Sequence, residues 1–260
     1  MKHIVYGNGE SRPTTDLIGG EWVTTWGCNA IYRDFTVDNL VSVDYNMQQE
    51  IYESGYVMKH KCWFSDWEVL PAEFDPHTLL IDNGGPVYET AKLNRKSCVV
   101  QGKDKSMVEK KIEEILIYNP QLDPKDFTKK AMFNVGMYIT WVDEYNDKVI
   151  NIDYPKGWSA GNTALYLACK FGAEEVYMCG FDGSNYSQPI NNIYKGSKGY
   201  TYIKRPVDPS YWIYQFNKLF EHSDCRWIVV NQEGWKMPEE WQANKNVFQD
   251  TYEGLAKWVN

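Results

Sequence analysis

Residues 159–182, SAGNTALYLACKFGAEEVYMCGFD, constrain the fold of this chain most tightly. They read as a helix, a tight turn and a buried strand in immediate succession. Ser159 is a helix N-cap by residue type, because its hydroxyl can take an N–H that has no partner inside the helix. Leu165, Ala168, Cys169 and Phe171 follow as an apolar stripe, at helical spacing. Gly172 stands where a helix ends on a left-handed residue. Val176 to Cys179 is a short apolar run, which suits a parallel strand covered on both faces. In an open α/β sheet, ligands bind at the carboxyl ends of the strands. Asp182 and the chain after it are therefore expected to meet a ligand.

The N-terminus repeats that logic. Residues 2–6 read as a first strand, and Gly7-Asn8-Gly9-Glu10-Ser11-Arg12 follows at once. Two glycines allow a sharp turn and a close approach by a ligand. The N–H groups of such a turn are expected to be open to a phosphate. The loop is not a dinucleotide fingerprint, since Arg12 stands at the place of its third glycine. It is not a Walker A loop either, because no Lys-Ser/Thr pair follows. An ordinary strand-to-loop turn is the competing reading.

Further strands are expected at 22–26, 40–44, 97–101 and 227–231, with helices at 47–54, 105–118 and 211–222. Residues 137–141 and 149–152 read as a hairpin. Strand and helix alternate over 1–54 and 157–231, which predicts an α/β fold: one Rossmann-like domain, residues 1–260, on a mostly parallel sheet. The less regular stretch 62–153 is expected to hold insertions. Residues 183–209 are polar and rich in Gly, Ser and Asn, and read as a long lid-like loop.

Aromatic residues make up 15% of the chain, with 11 Trp and 19 Tyr. That is enough to place some of them in clefts, where they stack on flat ligands. A net charge of −8 argues against a general nucleic-acid binder. Lys195, Lys198, Lys204 and Arg205 nevertheless form a local basic cluster. The six cysteines include no C-x-x-C pair, so no zinc site is signalled. Cys169 and Cys179 read as inert core thiols. No apolar run reaches the length of a membrane span. The start does not read as a signal peptide, so a cytoplasmic setting with no membrane partner is expected.

Taken in order, the loops Gly7-Asn8-Gly9, Gly27-Cys28-Asn29, Asp44-Tyr45-Asn46 and the one after Asp182, with the helix start at Ser159-Ala160-Gly161-Asn162, resemble a known family. This is the Campylobacter-type bacterial sialyltransferases, with a wider group similar to hydroxymethylpterin diphosphokinase. Gly7, Asn8, Gly9 and Ser11 match its opening G-N-G-x-S loop, and Cys28 and Asn29 match its C-N pair. Ser159 to Asp182 match its S-G turn, helix and G-x-D strand end more loosely. The segment Asn192-Ile193-Tyr194-Lys195-Gly196 also resembles uncharacterised proteins of tailed phages.

The resemblance implies a glycosyltransferase with a nucleotide-sugar donor and a hydroxyl acceptor. The acceptor would be a glycan or, following the phage likeness, a hydroxymethylated base in modified DNA. Gly7, Asn8, Gly9, Ser11, Asn29, Ser159, Gly161 and Asn162 would bind the donor, and Tyr186 and Tyr194 would steady its leaving phosphate. The family's histidine base has no counterpart in residues 201–210, and His222 is the nearest histidine after them. Asp44 is then the first candidate for the base and Asp182 the second. Asp44 capping the helix after it is the competing reading. Either carboxylate would alternatively hold Mg²⁺ or Mn²⁺, although no D-x-D pair occurs. Two rival functions remain: Mg²⁺-dependent diphosphate transfer to a hydroxymethyl compound, and a non-catalytic phage interaction protein with a decayed nucleotide site.

Overall fold

The computed structural model describes residues 1–16, 18–65, 67–69, 99–101, 148–152, 157–183, 191–205, 208 and 210–259. The helix expected at 105–118, the strand at 137–141 and Tyr186 lie outside them. The chain forms two compact units, one from Met1–Trp63 with Pro155–Asn260 and one from Phe64–Tyr154.

The strands in chain order are β1 (Lys2–Tyr6), β2 (Val23–Cys28), β3 (Asn39–Ser42), β4 (Cys62–Phe64), β5 (Trp67–Val69), β6 (Val99–Gln101), β7 (Val149–Asn151), β8 (Glu175–Cys179), β9 (Arg226–Asn231) and β10 (Val247–Thr251). The helices are α1 (Tyr45–Glu53), α2 (Ala160–Lys170), α3 (Ser210–Glu221), α4 (Glu239–Gln242) and α5 (Tyr252–Val259). Single 3-10 turns occupy Asn29–Arg33 and Tyr56–Met58.

The first unit is an α/β domain of Rossmann-like build, as the alternation of strand and helix predicts. Its strands run in the order β10-β9-β8-β1-β2-β3-β4. The pairs from β10 to β3 are all parallel. Lys2 to Tyr6 face Glu175 to Cys179 on one side and Val23 to Gly27 on the other. The topology therefore brings the ends of β1, β2 and β8, far apart in sequence, to one edge. In the second unit β5 pairs in parallel with β6.

The core follows from that register. Ile4, Val5, Val176, Met178, Val229 and Val230 are fully buried, as expected of strands covered on both faces. Helix α2 packs across β1, β2 and β3. Gly172 ends the helical segment at φ 85°. Leu165 and Ala168 face the core as expected, joined by Ala164 and Leu167. Phe171 does not belong to that stripe: it lies past the helix and is 46% exposed, against the rings of Trp26 and Trp63.

One expectation needs correction, and one residue lies deeper than its place at the chain's start suggests. His3 is in mid-sheet, because β1 is flanked on both sides. It is 2% exposed, and its Nδ1 accepts the Trp26 indole N–H at 3.0 Å. Cys169 is not a free thiol but is bridged to Cys225. The last turn of α2 and the approach to β9 bring the two Cα atoms to 6.5 Å, a spacing that linear sequence does not reveal. Cys179 remains a buried thiol, its pKa pushed up by burial.

Candidate functional site

The two glycines after β1 are dictated by a crossing of backbones. The Gly7 N–H donates to Cys179 O and the Gly9 N–H to Gly180 O, both at 2.8 Å. A Cβ on Gly7 would stand 2.5 Å from the Gly180 carbonyl oxygen, and one on Gly9 would stand 2.6 Å from it. The Ser11 N–H donates to Asp182 at 3.3 Å, the Ser11 hydroxyl bonds to the same carboxylate, and the Arg12 N–H donates to Gly9 O at 3.0 Å. The expected phosphate cradle is therefore not available at Gly7, Gly9, Ser11 or Arg12: their N–H groups already hold the loop together.

Asn8 is equally committed. Its amide donates to Cys28 O at 2.9 Å and its Oδ1 accepts from Arg12 Nη1 at 3.0 Å. The Arg12 guanidinium is buried, and it donates to the Tyr194 hydroxyl at 3.0 Å. Tyr194 in turn donates to Asp34 at 2.7 Å, and burial raises its pKa. Asn8 thus ties β1 to β2, and Tyr194 ties the segment 191–205 to both.

That segment was expected to be part of a lid. Its first half is instead anchored: the Ile193 N–H donates to Asn8 O at 2.9 Å, and Lys195 pairs with Glu10. Arg33 donates to the Ser197 hydroxyl and the Lys198 carbonyl, both at 2.9 Å.

Asn29 sits at the carboxyl end of β2 with φ 49°, the one non-glycine residue with positive φ among those described. Its amide nitrogen donates to Asp44 Oδ2 at 3.3 Å. An ionised carboxylate only accepts, so this contact turns the Asn29 oxygen the other way. That oxygen is buried and has no protein partner. Asp44 precedes α1 as its N-cap, but its side chain makes no capping bond. Its residue surface is open, yet the atoms packed near the carboxyl raise its pKa by desolvation, against the lowering effect of Asn29.

The start of α2 supplies a matching group. Ser159 caps the helix as expected, its Oγ accepting from the Asn162 N–H at 3.4 Å and from the Asn162 side-chain amide at 3.1 Å. The Ser159 N–H donates to Gln215 Oε1 of α3 at 3.0 Å. Asn162 is 1% exposed, and its Oδ1 also lacks a protein partner.

Asn29 and Asn162 line the same cavity, of about 280 Å³. Gly7, Asn8, Gly9, Ser159, Gly161 and Asp182 line it too, so the expected ligand-binding loops do converge. Ser11, Asp44 and Tyr194 are not on its wall. Asp44 lies behind Asn29, Ser11 braces Asp182, and Tyr194 braces Arg12. Burial raises the Asp182 pKa, while its bonds to Ser11 and Glu10 oppose the rise. Phe181, Trp212, Phe216 and Trp241 also line it, Phe181 lying against Gly7 and Gly161, with Phe216 and Trp241 4.5 Å apart between ring centroids. No Lys, Arg or His occurs among its described lining residues, and the described residues contain no cluster of three metal-ligating side chains. The described wall thus combines uncharged polar groups, one carboxylate and aromatic rings.

The aromatic residues of the wall, and Tyr200, which also lines the cavity, were missed in the sequence. Ile213 and Phe216 carry only the ordinary signal of a buried helix face, and nothing local tells a core ring from a cavity ring. No protein-family model matches the chain, and no curated protein matches it. No helix among the described residues is long and apolar enough to cross a membrane.

Proposed function

We propose that the chain is a glycosyltransferase whose cavity binds a nucleotide-sugar donor and passes the sugar to a hydroxyl acceptor. The supporting observation is that Asn29 and Asn162, each with a buried amide oxygen that has no protein partner, both line one cavity at the carboxyl ends of β1, β2 and β8. A buried acceptor without a partner costs about 1–3 kcal/mol. A nucleoside offers hydrogen-bond donors and acceptors on its base edge and ribose for the asparagine amides of the wall, and its flat ring suits the aromatic residues there. Strand carboxyl ends are also where α/β folds take nucleotides.

In this reading Asp182 is the general base. It is the carboxylate on the cavity wall, and desolvation raises its affinity for a proton. The acceptor hydroxyl gives its proton to Asp182 as its oxygen attacks the anomeric carbon, and the nucleotide leaves with the bonding pair. Asp44 acts through Asn29, holding that amide in register. The acceptor is a glycan or a hydroxymethylated base in phage DNA, in a host cytoplasm. The DNA version draws less support, because Lys195 and Lys198 of the basic cluster are paired with Glu10 and Glu50.

Calorimetric titration with CMP-, UDP- and GDP-sugars and ATP, each with Mg²⁺ and with EDTA, tests the reading. One nucleotide sugar is expected to bind, and Asn29→Leu and Asn162→Leu are each expected to weaken it at least about tenfold, or 1.4 kcal/mol. Binding of ATP alone, and only with Mg²⁺, would replace this reading by diphosphate transfer. No binding by any nucleotide would remove both.

A further inference from the structure

The Cys169–Cys225 bridge joins the last turn of α2 to the approach to β9. Both cysteines line a recess of about 890 Å³ between α2 and α3, a volume within the roughly 300–1,000 Å³ of small-molecule sites. The two sit unequally in it. Cys225 is 4% exposed, whereas Cys169 is part-exposed. A reagent arriving from solvent therefore meets Cys169 first. The border carries both signs, Lys170, Lys218 and His222 against Glu174 and Asp224, so it turns away neither a cationic nor an anionic reagent.

Hydrogen bonds that do not pass through sulfur hold each cysteine in place. On the α2 side, the Gly172 N–H donates to Cys169 O at 3.0 Å and the Ala173 N–H to Ala168 O at 3.2 Å. On the β9 side, the Arg226 N–H donates to Glu174 O at 2.9 Å. The Asn246 amide donates to the carbonyls of Phe220, Ser223 and Cys225 at 3.0, 3.1 and 3.2 Å. With the bridge open, these bonds keep the two residues close enough to pair again. Cys225 Sγ also lies 2.9 Å from Ala173 O, so a thiol there has an acceptor in place.

The other described cysteines differ. Cys28, Cys62 and Cys179 are buried free thiols, and burial raises the pKa of each. The thiolate is the reactive form, so these three are shielded twice over, by access and by protonation.

We propose that Cys169 is a site of reversible thiol exchange, at which a low-molecular-weight thiol such as glutathione opens the bridge. The incoming thiolate attacks Cys169 Sγ. The Cys169–Cys225 bond breaks as the new S–S bond forms, and its electron pair leaves on Cys225 Sγ, which takes a proton from water. Cys169 is then a mixed disulfide in the recess and Cys225 a thiol facing Ala173 O. The reverse attack, by the Cys225 thiolate on Cys169 Sγ, expels the small thiol and restores the bridge. The inference does not depend on what the nucleotide cavity binds.

The test uses the full chain carrying Cys98→Ser, which removes the cysteine outside the described residues. Without denaturant, reduced glutathione is expected to open the bridge while circular dichroism stays that of the folded protein. Peptide mapping after an acid quench is expected to find glutathione on Cys169, and removing the glutathione should restore the bridge. Two further variants leave one partner alone. With oxidised glutathione, Cys169 in Cys225→Ser is expected to be modified at least about tenfold faster than Cys225 in Cys169→Ser. Two outcomes overturn the proposal: a bridge that glutathione opens only after urea has unfolded the chain, or glutathione found on Cys225 as readily as on Cys169.

Discussion

Gly9 shows how a residue chosen for a ligand reason can have a packing reason. Its missing side chain makes room for the Gly180 carbonyl and the Asp182 carboxylate, not for a phosphate. A Cβ there meets backbone that cannot swing away. Gly9→Ala is therefore expected to destabilise the protein by about 1–3 kcal/mol, as overpacking does, and urea unfolding will show it. An unchanged midpoint would mean that the crossing loosens easily. His3 gives a second residue-scale expectation. Burial lowers its pKa below the ordinary 6.5, helped by the nearby N-terminal amine. The unfolded chain then binds the proton more readily than the native one. Stability tied to neutral His3 is complete above pH 6.5 and is lost as pH falls below that value, levelling off at the native pKa. His3→Gln keeps an acceptor for Trp26 but cannot titrate. The stability difference between the two proteins should change with pH only below about 6.5; a difference flat through that window would refute the assignment.

Helix α2 is the element on which sequence reading did best. Its cap, its glycine stop and the strand after it all follow from local chemistry: an oxygen for an orphan N–H, a residue tolerant of positive φ, an apolar run. Ser159 has a wider role than a cap, since its hydroxyl also holds the Asn162 side chain. Ser159→Ala is expected to cost about 1 kcal/mol of stability, the usual value for a lost N-cap, and to loosen Asn162 as well. Amide proton exchange in the first turn of α2 should rise beyond the global change; exchange that merely tracks global stability would confine Ser159 to capping. The segment 191–205 was less legible. Its polar, glycine-rich composition gives the same signal for an open lid and for a strap tied down by Tyr194 and Arg33. The difference lies in Arg12, Asp34 and Glu50, which are remote in sequence. Asp44 was read as the first candidate for the base, with a helix cap as the competing reading; its carboxylate makes no capping bond and instead accepts from Asn29, on a neighbouring strand end.

At the scale of the whole molecule, the parallel sheet of the first unit was readable where apolar strands such as β8 and β9 alternate with helices. The convergence of loops on one edge followed from the general habit of such sheets. The aromatic wall did not, because α3 and α4 reach the cavity only through tertiary packing. The same is true of the Asp182 grip on Ser11, which joins residues 171 positions apart. That separation has a consequence in time. Contacts closed over so long a stretch form late, after loop-closure entropy has been overcome. Ser11 of the β1 loop leaves the ribosome 171 residues before its partner Asp182. Until then the crossing that shapes the cavity has only one of its two strands.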